Sequence, residues 1–110
     1  MSKTRIYSQY SIEAAGLLGA QIKLGRKQRK WSESELADRA GISRATLQKI
    51  EKGEMTCAIG LIFEVATLVR VPLFNVDKSL VTMQMERVND KIALLPKAIH
   101  KSSKVLDDDF

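Results

Sequence analysis

The sequence predicts an all-α fold, and three observations carry that prediction. Apolar residues recur at three- and four-residue spacing in several separate segments. Serines stand at the start of most of these segments, and glycine or proline stands just behind most of them. With 110 residues, 45% hydrophobic and 28% charged, the chain has the material for about one domain with one modest core.

Residues 1–10 read as an irregular N-terminal arm. Ser11 is positioned to cap a helix running to about Lys30, with Ala15, Leu18, Ile22 and Gly25 on one stripe. Its cationic end, Arg26-Lys27-Gln28-Arg29-Lys30, suits the negative end of the helix dipole. After Trp31, Ser32 and Glu35 form an S-x-x-E capping box for a helix over Glu33 to Ala40, stopped by Gly41. Ser43 caps a third helix, Arg44 to Lys52, and Gly53 ends it. A polar turn, Glu54-Met55-Thr56, leads to an apolar helix from Ala58 to Val69, carried by Ile59, Ile62, Phe63, Ala66 and Leu68. Pro72 breaks it, and Pro72 to Val76 reads as a turn, a short helix or a short strand. A last helix is expected over Ser79 to Leu95. There Val81, Met85, Val88, Ile92 and Leu95 follow one another at steps of 4, 3, 4 and 3, a narrow apolar seam. Pro96 closes the pattern, and residues 97–110 read as a polar, flexible tail. The expected division is thus an arm over 1–10, a helical domain over 11–78, a C-terminal helix over 79–96 and the tail.

Charge narrows the function. The formal net charge is +5, and residues 1–31 alone hold seven basic residues against Glu13. Clustered cations suit a polyanionic partner, because potential decays within about a Debye length. One cysteine, Cys57, excludes an internal disulfide and a cysteine-rich zinc site, and one histidine, His100, excludes a two-histidine metal site. The apolar runs are too short to span a bilayer, and the polar, basic start lacks a signal core, so a cytoplasmic protein is expected. Gly16, Gly19 and Gly25 lie within a helical pattern without a phosphate-loop lysine. Cys57 has no histidine partner and reads as an inert thiol; Asp107, Asp108 and Asp109 on a flexible end do not preorganise a metal site. No catalytic constellation, cofactor or metal is expected, and the chain does not read as an enzyme.

Two short helices joined by a tight glycine-containing turn make residues 33–52 a helix-turn-helix. Ala37 is small where two backbones approach, and Gly41 can take the left-handed turn conformation. Ile42, Leu47 and Ile50 are expected to face inward, leaving Arg44, Ala45, Gln48 and Lys49 outside.

The run from Trp31 to Ala37, followed by Gly41-Ile42-Ser43-Arg44-Ala45-Thr46-Leu47-Gln48-Lys49-Ile50-Glu51-Lys52-Gly53, resembles the Cro/cI-like (XRE) helix-turn-helix family over roughly residues 14–76. The resemblance implies a five-helix, lambda-repressor-like domain, here followed by a C-terminal helix and flexible tail. It makes the helix from Arg44 the one that enters the major groove of double-stranded operator DNA. Arg44 then suits a guanine edge, Ala45 a thymine methyl, and Gln48 and Lys49 adenine or guanine edges. Ser43 and Thr46 suit phosphate, with Arg29, Lys30 and Lys52 as further phosphate contacts. In the family, a residue at the Arg26 position often pairs with a buried glutamate at the Glu51 position, so Arg26 is structural or DNA-facing. One departure stands out: Glu33 occupies a position where many members carry a phosphate-contacting Gln, and a carboxylate repels phosphate. Either backbone amides at that helix start take over, or DNA affinity is weakened.

The flanks, with Ile6-Tyr7-Ser8 ahead, Ala93-Leu94-Leu95-Pro96 behind, then a basic stretch and Asp107-Asp108-Asp109-Phe110, look like HipB-type antitoxins. That likeness implies a repressor of its own operon that binds a HipA-like serine/threonine kinase toxin. Val105, Leu106 and Phe110 would be the apolar anchors of a partner-binding tail. The Val81-to-Leu95 seam packs either on the chain's own core or on a second subunit of a homodimer. The fourth helix, the 72–76 segment or the last helix would form that interface. A stand-alone regulator without a toxin, or an interaction subunit that has lost DNA binding, shares the same scaffold.

Overall fold

The computed structural model describes residues 5–75 and 78–97. They contain five α-helices, α1 (Gln9–Gln28), α2 (Glu33–Ala40), α3 (Arg44–Lys52), α4 (Ile59–Leu68) and α5 (Lys78–Ala93), with one 3-10 turn, Leu73–Asn75, and no strand among the described residues. The chain divides into two units, Met1–Asn75 and Val76–Phe110. The first holds α1 to α4 and the 3-10 turn; α5 lies in the second.

Helix ends follow local chemistry. Ser32 Oγ accepts from Glu35 N at 3.0 Å while Ser32 N donates to Glu35 Oε1 at 2.8 Å, so the capping box is complete in both directions. Ser43 Oγ accepts from Thr46 N at 3.0 Å and starts α3. Gly41 (φ 71°) and Gly53 (φ 78°) close α2 and α3 in the left-handed region. There Ile42 N reaches Ala37 O at 3.0 Å and Glu54 N reaches Lys49 O at 3.1 Å. The start of α1 differs from expectation. Ser8, not Ser11, is the cap, because Ser8 Oγ accepts from Ser11 N at 3.2 Å and the helix begins three residues sooner. Residues 9 and 10, expected to be irregular, are therefore helical. The helix also stops at Gln28 rather than Lys30, since Lys30 takes φ 60° and Trp31 N bonds back to Arg26 O at 3.2 Å. Arg70 (φ 61°) ends α4 the same way, with Val71 N on Ala66 O at 2.9 Å.

The core of the first unit gathers Ile22 from α1, Leu36 and Ala37 from α2, Leu47 and Ile50 from α3, and Val65, Ala66 and Val69 from the fourth segment. Packing pairs α1 with α3, α2 with α3, and α2 with α4, so α3 is held from two sides. Ile42 is only partly buried but packs against this cluster, as do Leu18, Trp31 and Cys57. The segment expected as turn, helix or strand is the 3-10 turn, whose exposed Phe74 meets Phe63 edge-on at 6.3 Å between ring centroids.

The α1–α3 contact is a backbone contact. A Cβ on Gly19 would lie 2.6 Å from the carbonyl oxygens of both Ile50 and Glu51, whereas one on Gly16 would meet nothing within 4 Å. Opposite effects are expected from the same substitution. Gly19→Ala forces α1 off the end of α3 and should lower unfolding free energy by about 1–3 kcal/mol. Gly16→Ala, in open space within a helix, should raise it by about 0.5–1 kcal/mol. Urea unfolding of both variants checks the pair; equal effects of one sign would contradict the close approach.

Candidate nucleic-acid interface

The exposed side of α3 is built from the inside out. Leu47 and Ile50 are buried, which turns Arg44, Ala45 and Lys49 to solvent and leaves Gln48 half-exposed. The side chains proposed for base contact thus share the face opposite the core. Of the phosphate candidates, Lys30 and Lys52 are exposed and Arg29 is half-buried, its guanidinium 5.9 Å from the Trp31 ring centroid. Ser43 Oγ donates to Thr46 Oγ1 at 2.9 Å, so the Ser43 hydroxyl is occupied by its cap while the Thr46 hydroxyl keeps its own proton to give. The tail residues Val105, Leu106 and Phe110 lie outside the described residues, as do His100 and the three consecutive aspartates.

Beneath this face is a buried ion pair. Arg26 Nε donates to Glu51 Oε2 at 2.8 Å and Nη2 to Glu51 Oε1 at 3.1 Å, while Nη1 reaches Trp31 O at 3.0 Å. The two side chains are 7% and 5% exposed, which makes Arg26 structural rather than DNA-facing. Its hydrogen bond to Glu51 raises the already high pKa of the guanidinium.

Glu33 is where expectation and structure diverge most usefully. Its Oε1 accepts from Arg44 Nε at 2.9 Å and from Gln48 Nε2 at 2.9 Å, and its Oε2 lies 4.0 Å from Arg26 Nη2. The carboxylate turns inward to the side chains of α3. The hydrogen bonds from Gln48 and then Arg44 hold its pKa below the ordinary carboxylate range. A lowered folded-state pKa means the contribution is present above the ordinary value and disappears only as pH falls through the lowered one. Backbone amides are a limited substitute at the α2 start, because Ser32 N and Glu35 N are already taken by the capping box. The sequence marked Glu33 as a departure but not as the partner of Arg44 and Gln48, which sit 11 and 15 residues away on another helix. Arg39, not singled out from the sequence, lies 4.2 Å from the Trp31 ring centroid, a cation–π contact formed across the α1–α2 corner.

These features define a class: a helix-turn-helix whose second helix presents a polar, hydrogen-bonding face. Residues 22–74 match the family model HTH_3, described as helix-turn-helix. That segment is a helix-turn-helix domain of the Cro/cI-like (XRE) family. The chain is 38% identical over 58 residues to the HTH-type transcriptional regulator SutR of Escherichia coli (strain K12), a match covering 53% of this chain. It spans about a third (33%) of the length of that curated relative. Among solved structures it is similar to a HipB variant in an O2 20mer complex, with TM-score 0.50, 26% identity, and coverage of 70% of this chain and 99% of the other. A HipB-O1-O2 complex matches with TM-score 0.50 and 27% identity, over 68% of this chain and 100% of the other.

The buried pair yields a signed test. Arg26→Ala leaves Glu51 charged, buried and unpaired, and should cost about 3–5 kcal/mol of unfolding free energy. Replacing the pair together, Arg26→Met with Glu51→Leu, should recover most of that loss, since the desolvation of both charges disappears with them. Denaturant unfolding of the single and double variants measures the difference. A double variant as unstable as the single would show that the helix geometry itself needs the ion pair.

Proposed function

We propose that this chain is a sequence-specific DNA-binding transcriptional repressor, the antitoxin of a type II toxin–antitoxin system that represses its own operon and binds a HipA-like serine/threonine kinase toxin. The observation that carries the DNA-reading part is the α3 face. Arg44, Ala45, Gln48 and Lys49 stand away from the core on a helix held from two sides, with the cations of the α1 end on the same domain. Likeness to a regulator and to HipB complexes supports the same reading. On this reading Arg44 takes a guanine edge, Ala45 a thymine methyl, and Gln48 and Lys49 adenine or guanine edges. Arg29, Lys30, Ser43, Thr46 and Lys52 take phosphates, Ser43 by turning to the phosphate the hydroxyl proton it otherwise gives to Thr46. The protein works in the cytoplasm as a homodimer on two half-sites about 34 Å apart. The α5 seam favours that state, for Val81, Met85, Val88 and Ile92 are all exposed.

Fluorescence anisotropy on the DNA upstream of this chain's gene, against a scrambled duplex at several salt concentrations, tests the reading. Tight binding to the first alone, falling steeply with salt, is expected. Arg44→Ala should cost about 1–3 kcal/mol on that duplex and relax preference at one base pair. Equal weak binding to both duplexes would refute DNA reading, and a monomeric mass by light scattering at micromolar concentration would refute the dimer.

The toxin partner rests on the chain's end. Val105, Leu106 and Phe110 beside three aspartates supply apolar anchors and charge selection for a partner surface. Deleting residues 101–110 should weaken binding to a HipA-like kinase and leave operator affinity unchanged. The likeness to SutR favours the second reading, a stand-alone regulator. Equal kinase affinity with and without the tail removes the anchor role, and no kinase binding by the full chain selects the stand-alone regulator.

A further inference from the structure

We propose that Glu33 is a specificity-determining positioning residue. By accepting from both Arg44 and Gln48 on a single carboxylate oxygen, it fixes the donor–acceptor polarity of the Gln48 amide and keeps Arg44 on base edges instead of phosphates. The inference deepens the DNA-reading role of α3 and rests on it.

An ionised carboxylate only accepts hydrogen bonds. The Gln48 amide can therefore face Glu33 with its nitrogen end and not with its oxygen, as it does at 2.9 Å. A free glutamine turns its amide either way and offers a base a donor or an acceptor at the same place. A held one offers Oε1 and its remaining N–H in fixed order, the pattern that adenine N6 and N7 complement. Arg44 is constrained likewise. With Nε on Glu33, only its two terminal amino groups remain to give, and these form the fork that fits guanine O6 and N7. Arg44 is 63% exposed, so without this tether its charge would be drawn to the nearest phosphate, a contact that carries no sequence information. The carboxylate also repels phosphate from the α2 start. It thus lowers affinity for every duplex alike while sharpening the choice among them, and specificity is that difference.

A purely structural role fits less well. Arg26, the buried cation nearest Glu33, is already satisfied by Glu51 and Trp31 O, and the Glu33 oxygen stands off at 4.0 Å. Losing Glu33 leaves the three bonds of Arg26 to Glu51 and Trp31 O in place.

The test uses the full chain with Glu33→Gln and Glu33→Ala, a randomised-duplex selection, and a scrambled duplex for background affinity. Glu33→Gln is nearly isosteric and keeps a hydrogen-bonding group, but its amide allows Gln48 to face either way. Both variants should bind the scrambled duplex more tightly than the wild type. Preference at the base pair read by Gln48 should fall by about fivefold or more, the low end of what one bidentate contact discriminates. In a Gln48→Ala background, Glu33→Gln should change that preference no further, a null that a general structural effect would not give. In the free protein, the Gln48 side-chain amide NMR signals should shift in Glu33→Gln, while the thermal midpoint falls by no more than the few degrees that losing one helix-start carboxylate costs. Wild-type base preference and wild-type background affinity in both variants would overturn the proposal. If the wild type itself selects no sequence, the DNA-reading assignment fails, and this inference falls with it.

Discussion

The buried guanidinium of Arg26 is the constraint on which the rest of the first unit depends. A charge 7% exposed must have its donors matched, and the matches come from two places in the chain. Glu51 takes two of its bonds from the last turn of α3, and the carbonyl of Trp31 takes a third from the corner between α1 and α2. One side chain therefore sets where α3 ends relative to α1 and where the chain turns into α2. Such pairs contribute more to geometry than to stability, because desolvation consumes most of the Coulomb gain. The glycine notch serves the same end by another means. With Gly19 against the Ile50 and Glu51 carbonyls, α1 touches α3 beside the residue that Arg26 holds.

From that anchor the network runs outward. Glu33 stands between Arg26 below and Arg44 and Gln48 above, so α2 enters the arrangement through its first residue. A free Arg44 would be an exposed cation with rotamer freedom to lose on binding; a tethered one has lost part of it already. The tether also makes the exposed face of α3 less cationic than its composition suggests. Long-range attraction to a polyanion therefore falls to the end of α1, where Lys27 and Lys30 are exposed and carry no ion pair among the described residues. In the proposed DNA-reading role, attraction and reading are divided between two helices.

How much of this was legible in the sequence depends on how local each cause is. The capping box at Ser32 and Glu35, the Ser43 cap and the two glycine stops lie within a few residues of what they determine, and α2 and α3 have the bounds their sequence implies. The start of α1 is not legible in this way, because Ser8 and Ser11 are both competent caps and nothing local ranks them. The ends of α1 and α4 were hidden for a different reason. Lys30 and Arg70 take a left-handed conformation that costs a non-glycine residue about 1–2 kcal/mol, so only the fold around them selects it. The role of Glu33 was illegible for the same cause at longer range: its partners belong to another helix, and only the angle between α2 and α3 brings them together.

That angle gives the acidic residue at the α2 start partners on α3, and in the proposed DNA-reading role it explains why a carboxylate is tolerated there. Glu33 and Glu35 both lie in the first turn of α2, where the helix dipole favours negative charge, so the carboxylates stabilise α2 before any partner arrives. The same position gives up the anion site that a helix start otherwise offers. Glu35 uses its carboxylate locally, on Ser32 N, which leaves Glu33 as the acidic group that can cross to α3. Two adjacent demands, starting a helix and orienting the next one's side chains, are met by two glutamates in one turn. In the proposed DNA-reading role, the cost is a phosphate contact, and the gain is a face whose hydrogen-bonding pattern is set before DNA arrives.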